Sequence, residues 1–329
     1  MPAKAASPQT SGLMLFPVAV MDAMPPWAWA AFFAFIIAML ALDLGVLQRD
    51  SHVVGMKEAL AWCMVWGVLA FAFAGLVWRW RGAELGQQFV AAYLIELCLS
   101  VDNVFVFILV FAFFRVDPRY QHRVLFWGII GAVLMRAAFI LVGVGVIQRF
   151  HWVLYLFGLF LVYTGVKMAL PKPDEEIHPD RNIAVRMFRR FFPVAALPEA
   201  GTFFVRENGR RMATPLFVVL LVIETTDLVF ALDSLPAVLA ITKDGFVALT
   251  SNIFAILGLR SLYFALNGVM QLFRYLKVGL AVILVFIGVK MLIVHWVEIT
   301  TATSLGVIGG VLSMSVLLSV LIKEPSSRA

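Results

Sequence analysis

The chain has 329 residues, 62% of them hydrophobic and only 14% charged, with a formal net charge of +6 and a mean hydropathy of +0.95. Soluble domains carry about 25% charged residues, so this balance excludes a water-soluble globular domain and indicates a polytopic membrane protein. Most of the basic residues fall in gaps between apolar runs, which speaks for membrane orientation and against a nucleic-acid partner. Cys63 and Cys98 both lie inside apolar runs, and neither a disulfide framework nor a zinc-binding spacing is present.

About 20 apolar residues cross the hydrocarbon core. Nine segments meet that length, at 27–47, 59–78, 88–114, 122–147, 151–170, 215–241, 246–270, 276–296 and 300–322. The expected organisation is an N-terminal tail (1–26, extracytoplasmic), two leading spans (27–87), a three-helix unit (88–170) and a cytoplasmic basic loop (171–214). A second three-helix unit (215–296) and a last span with a cytoplasmic C-terminus (297–329) complete it. The basic loop is rich in Pro and Arg, with an amphipathic helix expected at 181–192 on the membrane surface. Trp27, Trp29, Trp78 and Trp80 are placed as interfacial anchors, and Lys167 and Lys290 as snorkelling side chains near span ends.

Orientation follows from the Lys/Arg bias. The loops after the odd-numbered spans and the C-terminus hold seventeen basic residues, eight of them in 171–213; the other side holds five, Lys4, Arg79, Arg81, Arg149 and Lys243. The richer side is assigned to the cytoplasm, which puts the N-terminus outside.

Spans three to five resemble spans six to eight. Ser100-Val101-Asp102-Asn103-Val104-Phe105 corresponds to Thr225-Thr226-Asp227-Leu228-Val229-Phe230, Arg136 to Arg260, and Gly165-Val166-Lys167-Met168 to Gly288-Val289-Lys290-Met291. The offsets of 125, 124 and 123 keep the three anchors colinear. A unit of three spans is odd, so its repeat enters the membrane from the opposite side. The predicted fold is therefore all-α, with about nine transmembrane helices and an inverted repeat of two three-helix units, an architecture common in secondary transporters.

Six carboxylates lie in apolar spans: Asp43, Glu96, Asp102, Glu224, Asp227 and Asp233. One acid at bilayer depth costs roughly 2.5–3.5 kcal/mol on insertion scales, which makes such a residue a functional candidate. On a regular helix Ser100 and Asn103 fall within about 40° of Glu96, whereas Asp102 points about 120° away. Asp233 likewise points away from Glu224. A local break would gather the acids, and Pro236, which leaves the Leu232 carbonyl free, predicts one in the sixth span, with a counterpart near Asp102-Asn103. Carboxylate, amide, hydroxyl and carbonyl oxygens suit Mn²⁺, Ca²⁺ or Mg²⁺, and composition alone does not choose among them. Arg136 and Arg260 could lock some acids structurally, but five acids in two spans exceed two arginines. Asp43, Ser100, Arg136 and Arg260 are assigned to the ion path or its gating.

At Asp43-Leu44-Gly45-Val46, at Glu96-Leu97-Cys98-Leu99-Ser100-Val101-Asp102-Asn103, and from Glu224 through Asp227, Asp233 and Ser234 to Pro236-Ala237, the chain resembles the TerC family of integral membrane proteins, its Alx-like members in particular. The resemblance runs over 27–322. It implies a multi-pass protein of the bacterial inner membrane that exports Mn²⁺, with Glu96, Asp102, Asn103, Glu224, Asp227, Asp233 and Ser234 as metal ligands. The partners are then a divalent ion as substrate, Mn²⁺ or alternatively Ca²⁺, and membrane lipid, with no organic cofactor and no nucleic acid. A proton antiport is an attached expectation, and a non-transporting membrane scaffold that assists metalation or insertion of exported proteins is the alternative. An intramembrane aspartyl protease would need a Gly-x-Gly-Asp motif, which none of Asp102, Asp227 and Asp233 completes; the chain is expected not to be an enzyme.

Overall fold

The computed structural model describes residues 24–47, 55–150, 152–170, 201–207, 210–267, 274–297 and 299–321. Among them are ten helices: α1 (Pro26–Leu47), α2 (Met56–Arg81), α3 (Ala83–Phe113), α4 (Pro118–Arg149), α5 (Val153–Ala169), α6 (Pro215–Ile241), α7 (Gly245–Leu257), α8 (Leu259–Asn267), α9 (Arg274–Leu292) and α10 (Thr301–Leu321). Seven segments are long and apolar enough to cross a membrane: α2, α3, α4, α6, α7 with α8, α9 and α10. The first and fifth expected spans are also helical, with shorter apolar stretches at Pro26–Met39 and Val153–Ala169. Large apolar side chains such as Val68, Leu134 and Val142 point outward, as helices facing lipid require. The chain is an all-α polytopic membrane protein. Most of the expected N-terminal tail, the amphipathic helix at 181–192 and the far C-terminus lie outside the described residues.

The long loop departs from expectation at its end. Phe204–Glu207 (β1) and Arg210–Ala213 (β2) form an antiparallel hairpin, Phe204 opposite Ala213 and Glu207 opposite Arg210. Phe204 packs on Phe217 of α6 with ring centroids 4.8 Å apart, and the Thr214 hydroxyl donates to the Thr202 carbonyl at 2.7 Å. The strands therefore seat the start of α6.

At the centre lies α7, every residue of which is buried. Its start is capped by Asp244, whose Oδ1 accepts from Phe246 N and Val247 N at 3.0 Å each. Arg81 at the end of α2 holds the other carboxylate oxygen at 2.9 Å. Aromatic rings bind α1, α2 and α3 to this helix: Phe73 lies 5.0 Å from Phe254 and Phe89 6.0 Å from it. Trp29 corrects one expectation. It is buried, with its ring edge-on to Phe246 at 5.0 Å, while Trp27, Trp78 and Trp80 remain exposed. On α1, Trp29 lies two residues from Trp27, so the helical turn carries one outward and the other onto α7.

The helices of the two similar units interlock. The α4 helix packs on α6 of the other unit, α7 and α8 pack on α3, and α5 lies against α9. The last contact is a glycine seam. A Cβ on Gly158 would lie 2.9 Å from the Gly288 carbonyl oxygen, one on Gly288 2.6 Å from the Gly158 oxygen, and one on Gly165 2.8 Å from the Ala281 oxygen. Gly165 and Gly288 are equivalent at the 123-residue offset, as are Gly158 and Ala281. Each contact is thus matched by the contact between its two equivalents. A twofold axis perpendicular to two antiparallel helices produces this exchange, and for membrane-spanning helices such an axis lies in the plane of the bilayer.

The predicted breaks in the third and sixth spans are corrected. Helix α3 runs unbroken for 31 residues, and α6 runs 27 residues straight through Pro236. The discontinuity falls instead in the seventh span, where α7 ends at Gly258 and α8 begins. Proline here sits one turn and a half from the helix end, where few backbone bonds depend on it.

Candidate functional site

Arg136, midway along α4 and 2% exposed, is the hub of a buried polar cluster. Its Nη1 pairs with Glu96 of α3 and approaches Ser234 Oγ at 3.3 Å. Its Nε and Nη2 donate to Asp227 Oδ2 and Oδ1 of α6 at 3.3 and 3.1 Å. Asn103 closes the ring by donating from Nδ2 to Asp227 Oδ1 at 3.2 Å. Glu96, Asn103, Asp227 and Ser234 are all buried.

Local spacing explains why these four meet. Glu96 and Asn103 are seven residues apart on α3, and so are Asp227 and Ser234 on α6. Seven residues bring a helix back to about the same face, so each helix offers two oxygen-bearing side chains in line. The arginine of α4 stands between those two faces. Convergence therefore arises from three crossing helices and needs no unwinding.

A cavity of about 50 Å³ opens beside the cluster, lined by Asp102, Asn103, Arg136 and Ser234 together with Thr164 of α5 and apolar side chains. About 10–15 Å³ of such space holds one water, so there is room for a small ion together with water. Asp102 is half-buried and reaches this cavity, although helical rotation turns it away from Glu96. Glu96 Oε2 and Ser100 Oγ are buried without a hydrogen-bond partner among the described residues. Neither residue lines the cavity itself; buried oxygens are normally satisfied, so these two, on the helix that carries Asp102 and Asn103, are candidate acceptors for a cation.

Glu224 is half-buried on α6 and its carboxylate lies over Gly131 of α4, where any Cβ would collide with it. Arg260 is buried at the start of α8 and does not line the cavity. The hydroxyls of Thr225 and Thr226 donate to carbonyls of their own helix, Leu221 O at 2.8 Å and Val222 O at 2.7 Å. Asp43 and Asp233 lie in α1 and α6, but their side chains fall outside the described part of the structure. Among the described residues no three His, Cys, Asp or Glu side chains gather as a metal-binding group; the clustered oxygens are of mixed acid, amide and hydroxyl type. Of the lysines, Lys290 donates to Ser304 of α10 at 2.7 Å, and Lys167 lies 5.9 Å from the Tyr163 ring centroid.

Two participants carry no signal that the sequence reading used. Gly131 is one glycine among many in an apolar run, and Thr164 a lone hydroxyl. Its position next to the repeated Gly165 is the clue that could have drawn attention to it.

The family model described as "Integral membrane protein TerC family" matches residues 81–327, a range that includes every residue of the cluster. The chain belongs to the TerC family. It is 50% identical over 296 residues to the "Uncharacterized membrane protein STKORF319" of Myxococcus xanthus, covering 90% of this chain and 92% of that protein. It is 45% identical over 304 residues to the Escherichia coli K12 protein named "Putative membrane-bound redox modulator Alx", covering 89% and 94%. An "Uncharacterized membrane protein" of Rickettsia bellii is 38% identical over 301 residues, covering 92% and 99%. No solved structure matches this TerC-family chain.

Proposed function

We propose that the protein is a transporter that moves Mn²⁺, with Ca²⁺ as the alternative hard cation, out of the cytoplasm across a bacterial inner membrane. Its C-terminus and long basic loop face the cytoplasm and its N-terminus the outside, as the Lys/Arg bias suggests. The observation that carries this reading is the buried oxygen cluster shared by α3 and α6 beside a small cavity, with Glu96 Oε2 and Ser100 Oγ unfilled. Glu96, Asp102, Asn103, Glu224, Asp227, Asp233 and Ser234 would supply the ligands, all of them hard oxygen donors of the kind that binds Mn²⁺ or Ca²⁺. Asp43, Ser100 and Arg260 would belong to the path that leads to and from them.

Carboxylates crowded at one site bind protons as well as metal, because like charges disfavour each other's ionised form. Release of the ion outside would be accompanied by proton uptake, which couples export to the proton gradient. Apart from the O–H bond of a protonated carboxylate, neither step makes or breaks a covalent bond, and the protein acts as a carrier and not as an enzyme.

The test is Mn²⁺ flux into proteoliposomes containing this protein alone. Wild type should carry Mn²⁺, an imposed pH gradient should accelerate it, and Asp102→Asn or Asp233→Asn should reduce it to background while the protein remains folded. Absence of flux from folded wild-type protein would favour a non-transporting scaffold; full flux from either variant would remove the ligand assignment.

A further inference from the structure

Every strong donor on Arg136 is used to hold a group that the proposed ion would need. Its Nη1 engages Glu96 and Ser234, and its Nε and Nη2 clamp both oxygens of Asp227. Asp227 Oδ1 accepts from Asn103 as well, which leaves that oxygen saturated. Asp102, the one acid lining the cavity among the described residues, stands clear of the guanidinium's contacts. We infer that Arg136 is a tethered competitor of the transported ion: its guanidinium holds the position of positive charge between Glu96 and Asp227, and a divalent cation binds only as the arginine lets go.

This inference rests on the proposed function and adds its regulation. An arginine in a protein keeps its charge, so it cannot vacate the site by losing a proton as a lysine can. A divalent ion and a guanidinium within a few ångströms of each other in a low-dielectric interior repel strongly, which makes the two occupancies mutually exclusive. Arg136 lines the cavity, so there is unfilled space beside it into which the side chain can turn. With the arginine seated, the empty carrier leaves Glu96 and Asp227 neither mutually repelling nor open to monovalent cations. With the ion seated, the arginine is free. The competition also has a directional use, since a carrier must release what it binds, and the returning guanidinium displaces the ion.

The test measures Mn²⁺ affinity and Mn²⁺ flux separately in wild type, Arg136→Gln and Arg136→Lys. If the arginine-seated state dominates the empty protein, its removal raises apparent affinity by the inverse of the competent fraction, about tenfold for a site that is nine parts closed. Arg136→Gln should therefore bind Mn²⁺ about tenfold more tightly yet carry it more slowly than wild type, because nothing displaces the bound ion. A merely structural arginine would not move the two readouts in opposite directions. Arg136→Lys keeps a cation without the forked grip, and should fold even if the glutamine variant does not. It should show tighter binding than wild type with flux between the two. Unchanged or weakened affinity in the folded lysine variant overturns the inference, whatever the glutamine variant does. If folded wild type itself binds no Mn²⁺, the proposed function falls first and this inference with it; binding by wild type with indifferent variants removes only the inference.

Discussion

Arg136 and Asp227 face each other across α4 and α6 through two contacts, Nε to Oδ2 at 3.3 Å and Nη2 to Oδ1 at 3.1 Å. The pair is separated by 91 residues and joins the first repeated unit to the second. Forked arginine–carboxylate contacts are among the strongest polar interactions, and they are geometrically demanding. In a buried setting, removing one partner leaves the other charge uncompensated, at a cost of about 3–5 kcal/mol. Asp227→Asn should therefore lower the thermal unfolding midpoint of the detergent-solubilised protein more than Asp102→Asn, whose carboxylate faces a cavity. Equal midpoints for the two variants would mean that the fork does not hold the units together.

The seam between α5 and α9 is expected to be intolerant of a single methyl group. A Cβ on Gly288 would meet the Gly158 oxygen at 2.6 Å and Val162 N at 2.8 Å, and backbone atoms cannot step aside as a flexible side chain can. Overpacking of this kind costs about 1–3 kcal/mol. Gly288→Ala should destabilise the protein by that amount, whereas Gly67→Ala on α2, with nothing within 4 Å of its new methyl, should be neutral or slightly stabilising. Thermal unfolding of the two variants side by side decides the matter.

Gly131 offers a different outcome, since the group in the way is the end of the Glu224 side chain and not backbone. Gly131→Ala should leave stability nearly unchanged and push the carboxylate out of place. Misplacing a functional group by about 1 Å can cost on the order of a hundredfold in rate, so Mn²⁺ flux should fall at least about tenfold and resemble that of Glu224→Gln. A flux equal to wild type would detach Glu224 from the ion path.

Asp244 caps α7 and pairs with Arg81 at once. Loss of an N-cap acceptor typically costs about 1 kcal/mol, and α7 is the helix around which the others pack. Asp244→Ala should lower stability by about that much. Asp244→Asn keeps the cap and loses only a partly exposed ion pair, which contributes little, so it should cost less. Limited proteolysis at the junction of α6 and α7 would report the difference, with faster cleavage in the alanine variant alone.

Much of this fold was legible in the chain. The nine apolar runs appear as helices because span length and hydropathy are local properties, set by the need to satisfy every backbone group inside the bilayer. Of the three colinear anchors, Gly165 and Gly288 turned out to be contact residues of the seam. Positions that depend on rotation were harder. Trp29 has the residue type of an interfacial anchor, yet it lies two residues from Trp27 and the helix turns it inward onto Phe246. Pro236 suggested a broken helix, yet the residue sits near enough to the end of α6 for the helix to absorb it.

By itself, the order of residues determined the family, the helical segments and the oxygen-rich side chains they carry, because each depends on neighbours within a few turns. Only the tertiary structure decided that one arginine binds Glu96, Asp227 and Ser234 together, that Glu224 rests on a glycine of another helix, and that the break lies at Gly258. Those relations depend on how α3, α4 and α6 cross and rotate against one another, a property of packing between residues as far as 124 positions apart that no local spacing encodes.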